Sequence, residues 1–194
     1  MLFEHTRVFN INGAMRGMRN PMNSWTKADT LGEIVGPADK ELALKLIKAG
    51  PTHRKFMRQI LICVDITASM NWWRQFDTYK VGTVANSCST MHRLVYTPIT
   101  PDIFEHNAVA PEVVDYLEGL RRKCRENINT EEGKVLFKKL IDNLPLSFMQ
   151  KRTVTLNYEV LWNIAHTRKG EKLSEWEDVF AWMDTLPNKE FIYA

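Results

Sequence analysis

Hydrophobic positions recur along this chain in two different patterns. Beyond Pro111 they fall at the intervals of amphipathic helices. The two helical sets are Val113, Val114, Leu117 and Leu120, and Val135, Leu136, Leu140 and Ile141. Residues 60–64 instead form an unbroken apolar run rich in β-branched side chains, which is typical of a strand buried on both faces. The pattern predicts a central strand followed by a largely helical second half.

Proline and glycine mark the ends of further elements. Residues 3–11 predict a strand, and residues 12–21, which carry glycines, predict a turn or short helix. Residues 21–37 lack periodicity and predict a surface loop, a candidate lid or partner-binding segment. Pro37 and Gly50 enclose a predicted helix, and the Leu144-Pro145 pair breaks the helical pattern. Residues 153–167 and 174–186 predict a helix pair that ends the chain.

Composition is that of a globular protein, with 44% hydrophobic and 25% charged residues. No internal repeat, low-complexity tract or linker divides the sequence. We therefore predict a single α+β domain, rich in helix, that spans residues 1–194.

Charge and cysteine usage narrow the classes of partner. The net charge is +3, from 26 basic and 23 acidic residues without a run of like charge, so nucleic acid is not a favoured partner. The longest apolar stretch is far shorter than the roughly 20 residues that cross a bilayer, and the N-terminus has no signal-peptide core. The three cysteines have no CxxC spacing, and the histidines have no partner at metal-ligand spacing. We expect a cytoplasmic protein with no membrane partner and no metal.

The densest collection of hydrogen-bonding side chains lies in residues 74–92. Its Ser, Thr and Asn side chains can bind phosphate or base edges, and Lys80 can neutralise a phosphate. Gly82 would let the backbone approach a ligand closely. A solvated loop followed by the start of a helix explains the same residues equally well.

Two polar residues near the C-terminus form a second candidate site. Asn157 and Arg168 are eleven residues apart, which would place them on one face of the last long helix, about 16 Å from each other. A flavin dinucleotide with a nucleotide beside it could bridge that distance. The alternative is a solvated stripe on which Arg168 pairs with Glu171 or Glu175. His53, after the Gly50 stop, is not distinguished by spacing alone.

The C-terminal stretch resembles a motif of the flavin-dependent thymidylate synthases. In that family a Leu-Pro pair leads into the pattern N-x3-L-x-N-x4-R, which here matches Leu144-Pro145 and then Asn157, Leu161, Asn163 and Arg168 without a gap. A second match begins at His53 and continues through the apolar strand to Arg74-Gln75.

Beyond Gln75 the sequence departs from the family pattern. Thr78-Tyr79-Lys80 stands where the family has an arginine-histidine-arginine triplet. The serine- and asparagine-containing run that follows matches Thr83, Ala85, Asn86, Cys88 and Thr90 in one register, and Asn86 and Ser89 after a slip of one residue. In either register the first arginine of the triplet and the last arginine of the run are missing, and threonine cannot replace their bidentate contacts with phosphate.

The resemblance implies a central, mostly antiparallel sheet flanked by helices. It also implies reductive methylation of dUMP or a related pyrimidine nucleotide, with FAD as cofactor, NADPH as reductant and methylenetetrahydrofolate as one-carbon donor. The residues that would bind the cofactor are His53, Tyr79, Lys80, Asn157 and Asn163. Those that would bind substrate are Gln75, Thr83, Asn86, Ser87, Cys88, Ser89 and Arg168, of which Arg168 would also be catalytic.

The family also implies a homotetramer whose sites form between subunits. The six tryptophans of the sequence would supply aromatic surface for such interfaces. Two alternatives remain open: a non-catalytic nucleotide- or flavin-binding protein on the same scaffold, and an enzyme that acts on another pyrimidine nucleotide.

Overall fold

The computed structural model describes all 194 residues and contains one antiparallel sheet with the strand order β1-β2-β4-β3. The strands are β1 Leu2–Phe9, β2 Leu61–Ser69, β3 Val84–Ser87 and β4 Met149–Asn157. The helices are α1 Ile11–Arg19, α2 Pro37–Lys48, α3 Met70–Phe76, α4 Thr90–Arg93, α5 Pro111–Glu126, α6 Glu131–Asp142, α7 Tyr158–Thr167, α8 Glu175–Met183 and α9 Glu190–Tyr193. The predicted α+β class with an antiparallel sheet is confirmed. None of these helices has the length and apolar character that a membrane span requires.

The residues group into two compact units, each assembled from separate stretches of the chain. The first unit contains Met1–Leu2, Ile66–Thr78 and Asn86–Arg152. The second contains Phe3–Asp65, Tyr79–Ala85 and Thr153–Ala194. A single domain over residues 1–194 stays a prediction.

The first unit has an aliphatic core built on the predicted helical stripes. Leu117 of α5 and Leu140 of α6 are fully buried, together with Phe104 from the segment before them. In α3, which begins with a hydrogen bond from Trp72 N–H to Ser69 Oγ, the neighbouring Trp72 and Trp73 are also fully buried. With Phe76, these tryptophans form core, which their position in the sequence did not reveal.

The second unit is held by contacts around α7 and by a buried ion pair. Tyr158 is fully buried and its backbone N–H donates to Ile60 O at 3.1 Å. Arg19 at the end of α1 pairs with Asp39 in the first turn of α2, and both side chains are almost inaccessible to solvent. Asp39 also accepts hydrogen bonds from the backbone of Asp29 and from Thr30. The predicted loop at 21–37 is thereby tied to α2, and its role as a lid or partner-binding segment stays a prediction.

Two expectations about secondary structure were wrong in detail. β2 is an interior strand, but its residues alternate between buried and half-exposed, so only one of its faces is fully buried. Residues Thr153–Asn157 belong to β4 rather than to a helix. In this segment Val154 and Leu156 are buried, and Thr153 and Thr155, which alternate with them, are exposed, a pattern with the period of a strand.

Candidate functional site

The first unit contains a cavity of about 260 Å³ between the start of α4 and the first residues of β4. Cys88 and Ser89, two of the residues predicted to bind substrate, lie in its wall. The wall consists of Thr67, Cys88, Ser89, Thr90, Arg93, Leu94, Thr97, Ile103, Phe148, Met149, Gln150 and Lys151. A cavity of this size is slightly smaller than the usual range for small-molecule sites, about 300–1,000 Å³. The tertiary structure thus brings part of the predicted run together with β4 residues that sequence reasoning did not select.

A chain of hydrogen bonds fixes the wall of this cavity. Arg152 lies over the ring of Trp73, with 4.2 Å from Cζ to the ring centroid, and donates through Nε to Gln150 Oε1 at 3.0 Å. This contact orients the Gln150 amide, whose Nε2 donates to Cys88 O at 3.0 Å and to Thr90 Oγ1 at 3.3 Å. The backbone at 88–90 is therefore held in place by β4 before any ligand arrives.

The wall of the cavity includes basic residues and no acidic one. Arg93 and Lys151 contribute two cations, and none of the residues of the wall is a carboxylate. The guanidinium of Arg93 forms no ion pair, whereas that of Arg152 is paired with Asp77 at 3.2 Å. The sequence analysis did not select Arg93 because no motif includes it. Arg93 nevertheless lies one helical turn after Thr90, the position that matches the last arginine of the family run.

In the second unit Arg168 is held by Tyr79 and Glu171. Its Nε donates to the Tyr79 hydroxyl at 2.8 Å and its Nη1 to Glu171 Oε1 at 3.0 Å, while its Cζ lies 5.1 Å from the centroid of Trp176. The Tyr79 hydroxyl is also within 2.6 Å of Thr167 Oγ1. The alternative in which Arg168 pairs with Glu171 describes this contact correctly. The same contacts hold the guanidinium in one orientation, which a residue that positions a ligand requires.

Arg168 also lines a cavity of about 610 Å³ in the second unit. It is lined by Ala165, His166, Arg168, Lys169, Gly170, Glu171, Leu173, Trp176, Glu177, Phe180 and Tyr193. Burial and the neighbouring Asp184 raise the pKa of Tyr193, so its phenol remains a neutral hydrogen-bonding group at pH 7. The wall combines aromatic rings with charges of both signs and by itself selects no ligand class.

The turn from Tyr79 to Thr83 carries two unused polar groups. Lys80 is exposed and its ammonium forms no ion pair, while Thr83 Oγ1 is buried without a hydrogen-bond partner. Gly82 has a φ of +81°, and a Cβ at this position would lie 2.7 Å from Nδ2 of Asn157. Glycine is therefore required both by the backbone conformation and by the close approach to Asn157.

The prediction that Asn157 and Arg168 lie on one face of the same helix was wrong. Asn157 is the last residue of β4 and caps α7, with Val160 N–H donating to its Oδ1 at 3.1 Å. Arg168 is the C-terminal cap of the same helix. The two residues therefore flank α7 at opposite ends instead of sharing a face. The side-chain oxygen Oδ1 of Asn157 already accepts a hydrogen bond from the helix.

The other predicted residues lie at the surface of the separate units. Gln75 is half-buried in α3, and Asn86 and Ser87 are exposed on β3. His53 and Asn163 are exposed in the second unit. Their binding roles stay predictions. No cluster of His, Cys, Asp or Glu side chains is arranged to hold a metal ion.

Comparison with known proteins identifies the fold. No protein-family model matches the sequence, and no curated protein sequence matches it either. Thymidylate synthase X from Helicobacter pylori, solved with FAD and dUMP, is 17% identical, with 100% of both chains covered and a TM-score of 0.75. A second structure of that enzyme with FAD and dUMP is 16% identical, covers 98% of this chain and 96% of its own, and gives 0.73.

A third solved structure extends the likeness to another nucleotide-modifying enzyme. The UMP/dUMP methylase PolB from Streptomyces cacaoi, bound with 5-Br dUMP, is 12% identical, covers 97% of this chain and 92% of its own, and has a TM-score of 0.64. These identities establish the fold alone. The chain has the fold of the flavin-dependent thymidylate synthases, as the sequence resemblance predicted.

Proposed function

We propose that this protein binds a pyrimidine nucleotide, dUMP or a close relative, and methylates it reductively. The observation that carries the proposal is the cavity of the first unit, whose wall contains Cys88 and Ser89 of the predicted substrate-binding run together with two basic residues and no carboxylate. The full-length likeness to enzymes solved with FAD and dUMP supports the same ligand class.

The proposed cofactor is FAD, which supplies hydride transfer when bound. The unpaired ammonium of Lys80 and the unpartnered hydroxyl of Thr83 fit a cofactor that carries phosphates, because they are donors left without an acceptor inside the protein. His53 and Asn163 are exposed and remain proposed cofactor contacts. Tyr79 and Asn157 are proposed to shape the site rather than to contact the cofactor directly. The hydroxyl of Tyr79 and the side-chain oxygen Oδ1 of Asn157 already form hydrogen bonds within the protein.

The proposed substrate contacts are Gln75, the run from Thr83 to Ser89, and Arg168. Arg168 would place a guanidinium against the nucleotide, held in orientation by Tyr79 and Glu171. NADPH would supply two electrons and methylenetetrahydrofolate the one-carbon unit. We further propose a homotetramer, because His53, Asn86 and Asn163 are exposed on the isolated chain and could be covered by other subunits.

The second candidate function is non-catalytic binding of a nucleotide or flavin on the same scaffold. Two features favour it: Thr78 and Thr90 provide no charge where the family has arginines, and the hydroxyl of Tyr79 is already engaged. The two candidates share the pocket and differ in turnover.

The test is an assay of the purified protein for bound flavin and for turnover. A yellow protein with a flavin absorption band, which releases tritium from dUMP labelled at C5 only when NADPH and methylenetetrahydrofolate are both present, supports the enzyme. Binding of dUMP by calorimetry without tritium release selects the non-catalytic alternative. A colourless protein that binds no pyrimidine nucleotide contradicts both.

Lys80→Ala is a sharper probe of the cofactor site. Removing the unpaired ammonium should weaken FAD binding about tenfold and flatten its dependence on salt, because one charge contact with a phosphate is lost. The free energy of unfolding should change by less than about 0.5 kcal/mol, since the side chain is exposed. Lys172→Ala, an exposed lysine of the same unit, is the matched control. If the two variants bind FAD with equal affinity, Lys80 does not contact the cofactor.

A further inference from the structure

The cavity of the first unit contains an arginine with no assigned role. Arg93 is exposed, lies in the cavity wall and forms no ion pair or ring contact. In the same unit Arg121 and Arg122 are both paired with Glu118, whereas Arg93 is not. An unpaired guanidinium of a residue in a cavity wall is available to a ligand.

The hydroxyl groups next to Arg93 are arranged as donors. Ser89 Oγ accepts a hydrogen bond from His92 N–H at 3.2 Å, and Thr90 Oγ1 accepts one from Gln150 Nε2 at 3.3 Å. Each hydroxyl therefore keeps its proton for a further partner. With Arg93 they present several donors and no negative charge to the cavity.

We propose that Arg93 is the residue that binds the phosphate group of the ligand, with Ser89 and Thr90 as supporting donors. Planar guanidinium groups bind phosphate through two parallel hydrogen bonds, which threonine at position 90 cannot provide. The charge absent from position 90 is thus supplied one turn later in α4. The inference rests on the proposed function for the identity of the nucleotide, but the phosphate site itself does not require dUMP.

The test compares three probes on the full-length chain: dUMP, deoxyuridine and inorganic phosphate. Arg93→Gln should raise the Kd for dUMP and for inorganic phosphate about tenfold to a hundredfold, as expected for loss of a charged hydrogen bond. Binding of deoxyuridine should not change. Arg93→Lys should keep part of the affinity, because it keeps the charge but not the paired geometry. Lys123→Gln, which removes one exposed charge from α5 of the same unit, should leave all three affinities unchanged.

Each result separates this inference from the proposed function. If wild-type protein binds inorganic phosphate through Arg93 but does not bind dUMP, the phosphate site stands and the nucleotide function fails. If dUMP binds and Arg93→Gln has no effect, the function stands and the role of Arg93 is refuted. If Arg93→Gln and Lys123→Gln lose equal affinity for dUMP and inorganic phosphate, the effect comes from the net charge of the protein, and the inference is overturned. Failure of wild-type protein to bind any phosphate compound would also overturn it.

Discussion

Arg168 and Arg93 illustrate two different uses of an arginine in this molecule. The guanidinium of Arg168, in the second unit, donates to Tyr79 and Glu171 and lies over Trp176. Arg93, in the first unit, lies in a cavity wall, and its guanidinium has no acidic partner. A satisfied guanidinium contributes to folding and to the orientation of its own side chain. An unpaired one contributes little to folding and indicates where an anion can bind.

The comparison also shows why the family pattern alone does not reveal which charged side chains are free to bind a ligand. The pattern includes Arg168 and omits Arg93, yet in the structure Arg168 already has protein partners. The predictions below test whether satisfied charges determine stability and whether the contacts of Arg168 restrict it to a structural role.

The largest effect is expected at the buried pair of Arg19 and Asp39. Asp39→Asn should lower the free energy of unfolding by about 3–5 kcal/mol, because it leaves a buried guanidinium without a countercharge. Urea denaturation measures the change, with Asp115→Asn, an exposed aspartate of α5, as the control. A loss of less than about 1 kcal/mol would show that the pair is not needed to hold the loop at 21–37.

The same pair has a predictable response to pH. Burial acts against ionisation, but hydrogen bonds from Thr30 and Arg19, followed by backbone N–H groups, hold the pKa of Asp39 below its usual value. Since the folded-state pKa is lowered, the stability that Asp39 provides should be present at neutral pH. It should be lost as the pH falls below the ordinary range of aspartate.

An intermediate effect is expected at Glu118, a paired carboxylate of the first unit. Hydrogen bonds from Arg121 outweigh the effect of burial and, with those from Ile99 N–H and Arg122, lower the pKa of Glu118 to about 2. Glu118→Gln should therefore cost roughly 2–3 kcal/mol at pH 7. Wild type and variant should converge as the pH falls from 4.5 to about 2, where the wild-type carboxylate becomes protonated. A difference that is constant over this range would attribute the loss to packing.

The smallest effect on stability is expected at Arg168. Arg168→Ala should weaken binding of dUMP by about 1.5–3 kcal/mol, measured by calorimetry, and lower stability by no more than about 1 kcal/mol. Tyr79→Phe, which keeps the ring and removes the hydroxyl that Arg168 contacts, should give a smaller loss of affinity. A large drop in melting temperature with unchanged affinity for dUMP would show that Arg168 is purely structural. Arg168 would then take no part in binding the ligand.

Much of the fold was predictable because it depends on local patterns. The helical stripes of α5 and α6 and the limits of α2 are determined by residue spacing and by proline and glycine. The strand at 153–157 was misassigned because its alternation is short and runs without a break into the apolar face of α7. Local spacing cannot locate the end of a strand that continues directly into a helix.

The candidate site was predictable only in part. Cys88 and Ser89 could be selected as hydrogen-bonding groups in a family-like run, and both line a cavity. Gln150 and Arg152 could not, because their contribution depends on contacts with Cys88, Thr90 and Trp73 that are made across sixty or more residues of sequence.

By itself the sequence determined the α+β class and the family likeness of the fold, since these depend on side-chain type and on spacing along the chain, and it suggested which residues bind a nucleotide. Only the tertiary structure decided which charges are already neutralised. Arg168 and Arg93 are chemically identical in the sequence, and their availability differs because Glu171 and Tyr79 lie within hydrogen-bonding distance of the first while no carboxylate lines the cavity of the second.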